Sequence, residues 1–180
     1  MRKMQAENHP DHGGLALPDS PSDGQEVPLR KFLSPESVVL CMGNPLRRDD
    51  GLGPALYASL DESLRKRCID AGTTPENQVG AIARLRPDGV LLVDAVHMDL
   101  PPGSWRVLDK RDILRMGIFT THDIPLPLFM DYLSAQVRSE IMVLAIQPGD
   151  VSFGEGLSEA VDRTVSELAT HIGKSMADSS

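Results

Sequence analysis

The chain has 180 residues, 41% of them apolar and 24% charged, with a formal net charge of -8. That length suits one domain with a sizeable core, and the apolar and charged fractions are those of a soluble globular protein. The acidic excess removes any electrostatic reason to expect nucleic acid or an anionic membrane as partner.

Residues 1–34 are rich in Pro, Gly, Ser and acids and show no apolar period. Such a segment buries too little apolar area to offset its ordering entropy, so a flexible tail is expected there. It lacks the apolar stretch of a secretory signal. His9 and His12 lie within it as HPDH and are expected to be solvated rather than metal-bound.

Val38-Val39-Leu40-Cys41-Met42 is a short continuous apolar run stopped by Gly43, the pattern of a strand buried on both faces. Leu52, Leu56, Leu60 and Leu64 then form one stripe, predicting an amphipathic helix over residues 54–67. Thr74-Pro75-Glu76 reads as an N-cap with proline at the first helical position, opening a short helix through about residue 84. Val90 to Val93 predicts a second buried strand that ends on Asp94. The turn Pro101-Pro102-Gly103 leads into an expected strand at residues 105–108, and a helix is expected over residues 123–137. Ile141 to Ile146 is another buried strand, halted by Gln147-Pro148-Gly149. Val161, Val165, Leu168 and Ile172 recur at helical spacing over residues 158–172. Residues 174–180 are small and polar and are expected to fray. No apolar run approaches the roughly 20 residues of a membrane span.

Strands alternating with helices predict an α/β fold whose mainly parallel sheet is covered on both faces. Ligands in such sheets bind in loops beyond the C-terminal strand ends. That points to residues 43–50, 94–99 and 147–153. The first of these lies within C-M-G-N-P-L-R-R-D-D-G-L-G, residues 41–53. Gly43, Gly51 and Gly53 permit tight turns. The stretch meets neither the dinucleotide nor the Walker pattern, nor the alternating ligands of a calcium loop. On composition, Asp49-Asp50 is equally a solvated turn capping the next helix. Asp94 and His122 likewise have bland readings, as a hydrogen-bond anchor and a capping residue. Taken together, the loops bearing Asp49-Asp50, Asp94 and His122 supply two carboxylates and an imidazole, two oxygens and a nitrogen that suit a divalent first-row metal. A pair of aspartates sharing one proton is an alternative. Cys41 and Cys68 form no CxxC pair and are expected to be buried thiols in a reducing cytoplasm.

In order and spacing the chain resembles the [NiFe]-hydrogenase maturation endopeptidases, closest to the hydrogenase 3 (formate hydrogenlyase) type. Gly43-Asn44, Leu46 and Asp49-Asp50-Gly51 carry the resemblance first. Pro75-Glu76-Asn77, Ala81-Ile82, Leu85-Arg86-Pro87, Leu92-Val93-Asp94-Ala95 and Pro102-Gly103 follow. Thr120-Thr121-His122, Pro125-Leu126 and Ile146-Gln147-Pro148 complete the set. The resemblance implies a three-layer α-β-α sandwich of the phosphorylase/hydrolase-like kind around a twisted sheet of about five strands. It makes residues 35–173 one peptidase domain between the tail and the frayed end.

The implied substrate is the precursor large subunit of a [NiFe] hydrogenase, already loaded with nickel. Asp50, Asp94 and His122 would hold that nickel, which the substrate supplies, and cleavage would free a short C-terminal peptide. No tightly held metal of the protein's own is then expected. Two features depart from the family pattern. Cys41 stands where many relatives have glycine, and His97 and Asp99 replace an acid and a glycine after Val93-Asp94-Ala95, so His97 is a candidate for an extra nitrogen. The rival functions are a non-catalytic nickel-binding accessory protein of hydrogenase assembly and a general metallohydrolase with its own zinc.

Overall fold

A computed structural model describes residues 26–117 and 125–177. Five strands form one sheet in the order β2-β1-β3-β5-β4. β1 (Val38–Met42), β2 (Cys68–Gly72), β3 (Gly89–Ala95) and β5 (Glu140–Ile146) run parallel, and β4 (Trp105–Leu108) closes one edge antiparallel to β5. Every residue of β1 and β3 is buried, as their unbroken apolar runs require of strands covered on both faces.

Alternation along the strands sorts the core into two layers. Val39, Cys41, Leu91, Val93, Leu144 and Ile146 face one side. There they meet α1 (Glu26–Phe32), α2 (Leu52–Ser59) and α6 (Glu159–Ala177). Leu40, Met42, Val90, Leu92 and Val143 face the other, against α3 (Val79–Leu85), α4 (Lys110–Met116) and α5 (Leu126–Ser134). Each fully buried Leu or Val contributes about 1.5–3 kcal/mol of transfer free energy. The three-layer α/β sandwich is therefore as expected.

Several boundaries differ from those expected. The supposed tail ends before residue 34. Leu29, Phe32 and Leu33 follow helical i, i+3, i+4 spacing, and Leu29 (1% exposed) and Leu33 (5%) enter the core. A Cβ on Gly89 would lie 3.0 Å from the Phe32 ring, so α1 is seated at the start of β3. Residues 1–25 lie outside the described residues. At the other end, α6 runs through Ala177 with Met176 buried, so residues 174–177 are a packed helical turn.

The leucine-striped helix also stops early. Leu60 turns extended, and a 3-10 turn at Glu62–Lys66 follows, with Asp61 accepting a hydrogen bond from Ser63 N. Thr74 makes no side-chain cap; Pro75 opens a 3-10 turn, Pro75–Gln78, before α3. Three elements were not anticipated: α1, β2 and α4. β2 is an edge strand whose Asp70 is exposed and whose Gly72 has φ +52°. α4 is opened by a capping box between Asp109 and Asp112 and ended by left-handed Gly117.

Candidate active site

The C-terminal ends of β1, β3 and β5 lie side by side, so the loops that leave them share one crest of the sheet. After β1 the chain turns back on itself. Asn44 Oδ1 accepts from Leu46 N (3.0 Å), an Asx-turn, and Asn44 N donates to Asp50 O (3.1 Å). The 3-10 turn Arg48–Gly51 follows and lies against β3. It can close only because glycines stand at the contacts. A Cβ at Gly43 (φ +136°) would fall 1.9 Å from Asp50 O, and one at Gly53 would fall 2.0 Å from Met42 O.

Both aspartates of this turn are buried, Asp49 at 0% and Asp50 at 3% exposure, so the solvated-turn reading is overturned. Asp94, at the end of β3, is also fully buried. By strand alternation it shares a face with Val90 and Leu92, the side carrying α3, α4 and α5. The fold thus brings Asp50 and Asp94 to adjoining strand ends.

His122 lies outside the described residues, in the segment between Gly117 and Pro125. Leu126, four residues beyond it, packs in the same cluster as Val96 and Met98, which follow Asp94. His97 is exposed. Among the described residues, no three His, Cys, Asp or Glu side chains are grouped to hold a metal, so Asp50, Asp94 and His97 alone do not make such a site.

The segment after β5 organises both acid-bearing loops. Gln147 is buried, and its Oε1 accepts from Met98 N (2.6 Å) and Leu100 N (3.4 Å). Its backbone exchanges bonds with Gly103 and Ser104. The loop after Asp94 therefore hangs from Gln147. Asp49 performs the same service for the turn that carries Asp50. Its carboxylate accepts from Gly149 N (2.7 Å), Asp150 N (3.0 Å), Ser158 N (2.6 Å) and Ser158 Oγ (2.8 Å). Arg48, left-handed at φ +46°, pairs with Asp150 at 3.2 Å. Hydrogen bonds from Ser152, and then Arg48, hold the Asp150 carboxyl below the usual range.

The two cysteines are buried and free. Burial, and then the neighbouring Cys68 and Asp70, push the Cys41 thiol well up, and burial raises Cys68 to about 12. Neither thiol is poised as a nucleophile, because the thiolate is the reactive form.

The hydrogenase maturation protease family model matches residues 53–175. The chain belongs to that family. It is 38% identical over 130 residues to the hydrogenase 3 maturation protease of Escherichia coli K12, covering 71% of this chain and 83% of that one. Among solved structures it is similar to the [NiFe] hydrogenase maturation protease HycI of Thermococcus kodakarensis. The TM-score is 0.72 at 28% identity, over 83% of this chain and 99% of that one. A crystal structure of a hydrogenase 3 maturation protease aligns at TM-score 0.63 and 36% identity, over 74% and 86% of the two chains.

Within this family frame, Asp49 and Gln147 are the residues whose part the sequence did not disclose. Both belong to the matching motifs, yet their bonds reach loops some 50 to 100 residues away.

Proposed function

We infer that this hydrogenase maturation protease is an endopeptidase that removes a short C-terminal peptide from the nickel-loaded precursor large subunit of a [NiFe] hydrogenase. The observation that carries the reading is the pair of buried carboxylates, Asp50 and Asp94, at adjoining strand ends in a chain of this family. Carboxylate oxygens and an imidazole suit a borderline divalent ion, and the segment bearing His122 leads into α5 on the face that Asp94 shares.

Asp50, Asp94 and His122 dock the nickel that arrives with the substrate, and so align the scissile bond. The unreactive thiols favour direct attack by water over an acyl-enzyme. The water adds its oxygen to the scissile carbonyl, the C–N bond breaks, and a water proton passes to the departing amine. A carboxylate beside the bond can relay that proton, making the enzyme an aspartic-type, nickel-dependent peptidase. It acts in the cytoplasm, where the precursor is assembled.

The test is cleavage of a nickel-loaded precursor, followed as shortening of the large subunit. Asp50→Asn, Asp94→Asn and His122→Ala should each slow processing by at least about 10- to 100-fold, since outer-shell changes alone reach that range. The folds should be intact by circular dichroism. Paired substitutions should be little worse than single ones, because residues acting as one unit are non-additive. Near-normal processing by all three single variants would refute this site. Precursor binding without shortening by the wild type would refute peptidase action.

A further inference from the structure

Asp49 neighbours the proposed nickel-docking Asp50 but faces elsewhere. Its fully buried carboxylate receives three backbone N–H groups and one hydroxyl, all from residues 149–158. Asp49 N also donates to Asp150 O at 3.0 Å, so residues 49 and 150 are tied in both directions. A Cβ on Gly149 would lie 3.2 Å from Pro102 and 3.4 Å from Asp49 Oδ2. The carboxylate therefore sits where the loops after β1, β3 and β5 meet. Four donors converge on its two oxygens, both of which act as acceptors. An asparagine of the same size would turn an amide N–H toward at least one of those donors.

We propose that Asp49 is a positioning residue for cleavage: it locks the turn Arg48–Gly51 to the segment before α6, and thereby presents Asp50 beside Asp94. This rests on the reading of Asp50 given above. The turn is only four residues long, so any tilt that relieves a disturbed Asp49 passes directly to Asp50. Displacements of about 1 Å at a reacting site cost on the order of 100-fold in rate.

The experiment is single-turnover cleavage of a nickel-loaded precursor by excess full-length enzyme, with thermal midpoints measured alongside. Asp49→Asn should cleave about 10- to 100-fold more slowly than wild type. Ser158→Ala, which removes one of the four donors, should show a smaller loss. Ile172→Val, a core change at the far end of α6, serves as the stability control and should cleave at the wild-type rate. A structural role alone would multiply with the loss from Asp50→Asn, whereas a positioning role would not. The Asp49→Asn/Asp50→Asn double variant should therefore be no slower than Asp50→Asn.

A folded Asp49→Asn variant cleaving at the wild-type rate, or multiplicative losses in the double, would overturn the inference. If Asp49→Asn does not fold, Ser158→Ala decides, and an unchanged rate there also overturns it. Normal cleavage by Asp50→Asn would instead remove the functional reading of Asp50, and the positioning role would fall with it.

Discussion

Two glycines of this chain have opposite substitution costs. At Gly53, a methyl group would fall 2.0 Å from the Met42 carbonyl oxygen, where α2 presses its first turn onto the end of β1. Backbone cannot yield there, so Gly53→Ala should cost more than the about 1–3 kcal/mol usual for overpacking. At Gly80 in α3, the nearest neighbour is the flexible Arg84 side chain at 3.7 Å. Gly80→Ala should stabilise by about 0.5–1 kcal/mol through lost backbone entropy. Chemical denaturation of the two variants checks the sign as well as the size. The cysteines offer a second check at this scale. Burial raises both thiols, so iodoacetamide near pH 8 should leave Cys41 and Cys68 unmodified in the native protein and alkylate both in denaturant. Rapid native labelling of Cys41 would reopen a thiol mechanism. Asp94 was legible as a site candidate because it ends a buried strand, and the family resemblance singled out Asp50 from the Asp49-Asp50 pair. Asp49 was not legible, since nothing local separates it from Asp50; its partners lie 100 to 109 residues away.

At the scale of elements, the sequence revealed the interior strands and the β4 edge but missed α1, β2 and α4. β1, β3 and β5 read directly from continuous apolar residues, whereas β2 pairs on one side only and carries an exposed Asp70. α4 is seven residues long, too short for a clear period, and was marked only by its caps. Those caps make it testable. Asp109 accepts from Asp112 N at 2.8 Å, and this bond, with help from Arg111, lowers its carboxyl below the ordinary value of 3.8. A depressed native value means stability that is present above pH 3.8 and is lost as pH falls through the native value. Asp109→Ala should therefore destabilise by about 1 kcal/mol at neutral pH. The gap in thermal midpoint from wild type should narrow below about pH 4. A gap that stayed constant through that range would deny the ionised cap its role.

For the whole molecule, the position of α1 sets where the chain can be shortened. Leu29 and Leu33 pack beside Leu60 and Ile172 in one core layer, and Phe32 covers Gly89. Removing residues 1–32 should strip Leu29 and Phe32 from that layer. Large-to-small losses of this kind cost about 2–5 kcal/mol each, so the thermal midpoint should drop steeply or the protein become insoluble. A chain begun at Glu26 should keep its midpoint within a few degrees. Equal midpoints for the two truncations would show that α1 contributes nothing to the core. The sequence hid this helix because its three apolar residues sit at the end of a long polar stretch, where composition outweighs a single turn of period.

If Asp49 positions Asp50 as proposed, its carboxylate also bears on when this protein can begin to work. Its donors lie beyond β5, and the last of them opens the final helix. A nascent chain still lacking that region can form β1 and β3 but lacks the four donors that hold Asp49 in the turn between Arg48 and Gly51. Contacts of such long sequence separation form late, after their loop-closure entropy has been met. On the positioning role proposed for Asp49, the turn carrying Asp50 is therefore locked in place only after residue 158 has been made and has folded against it.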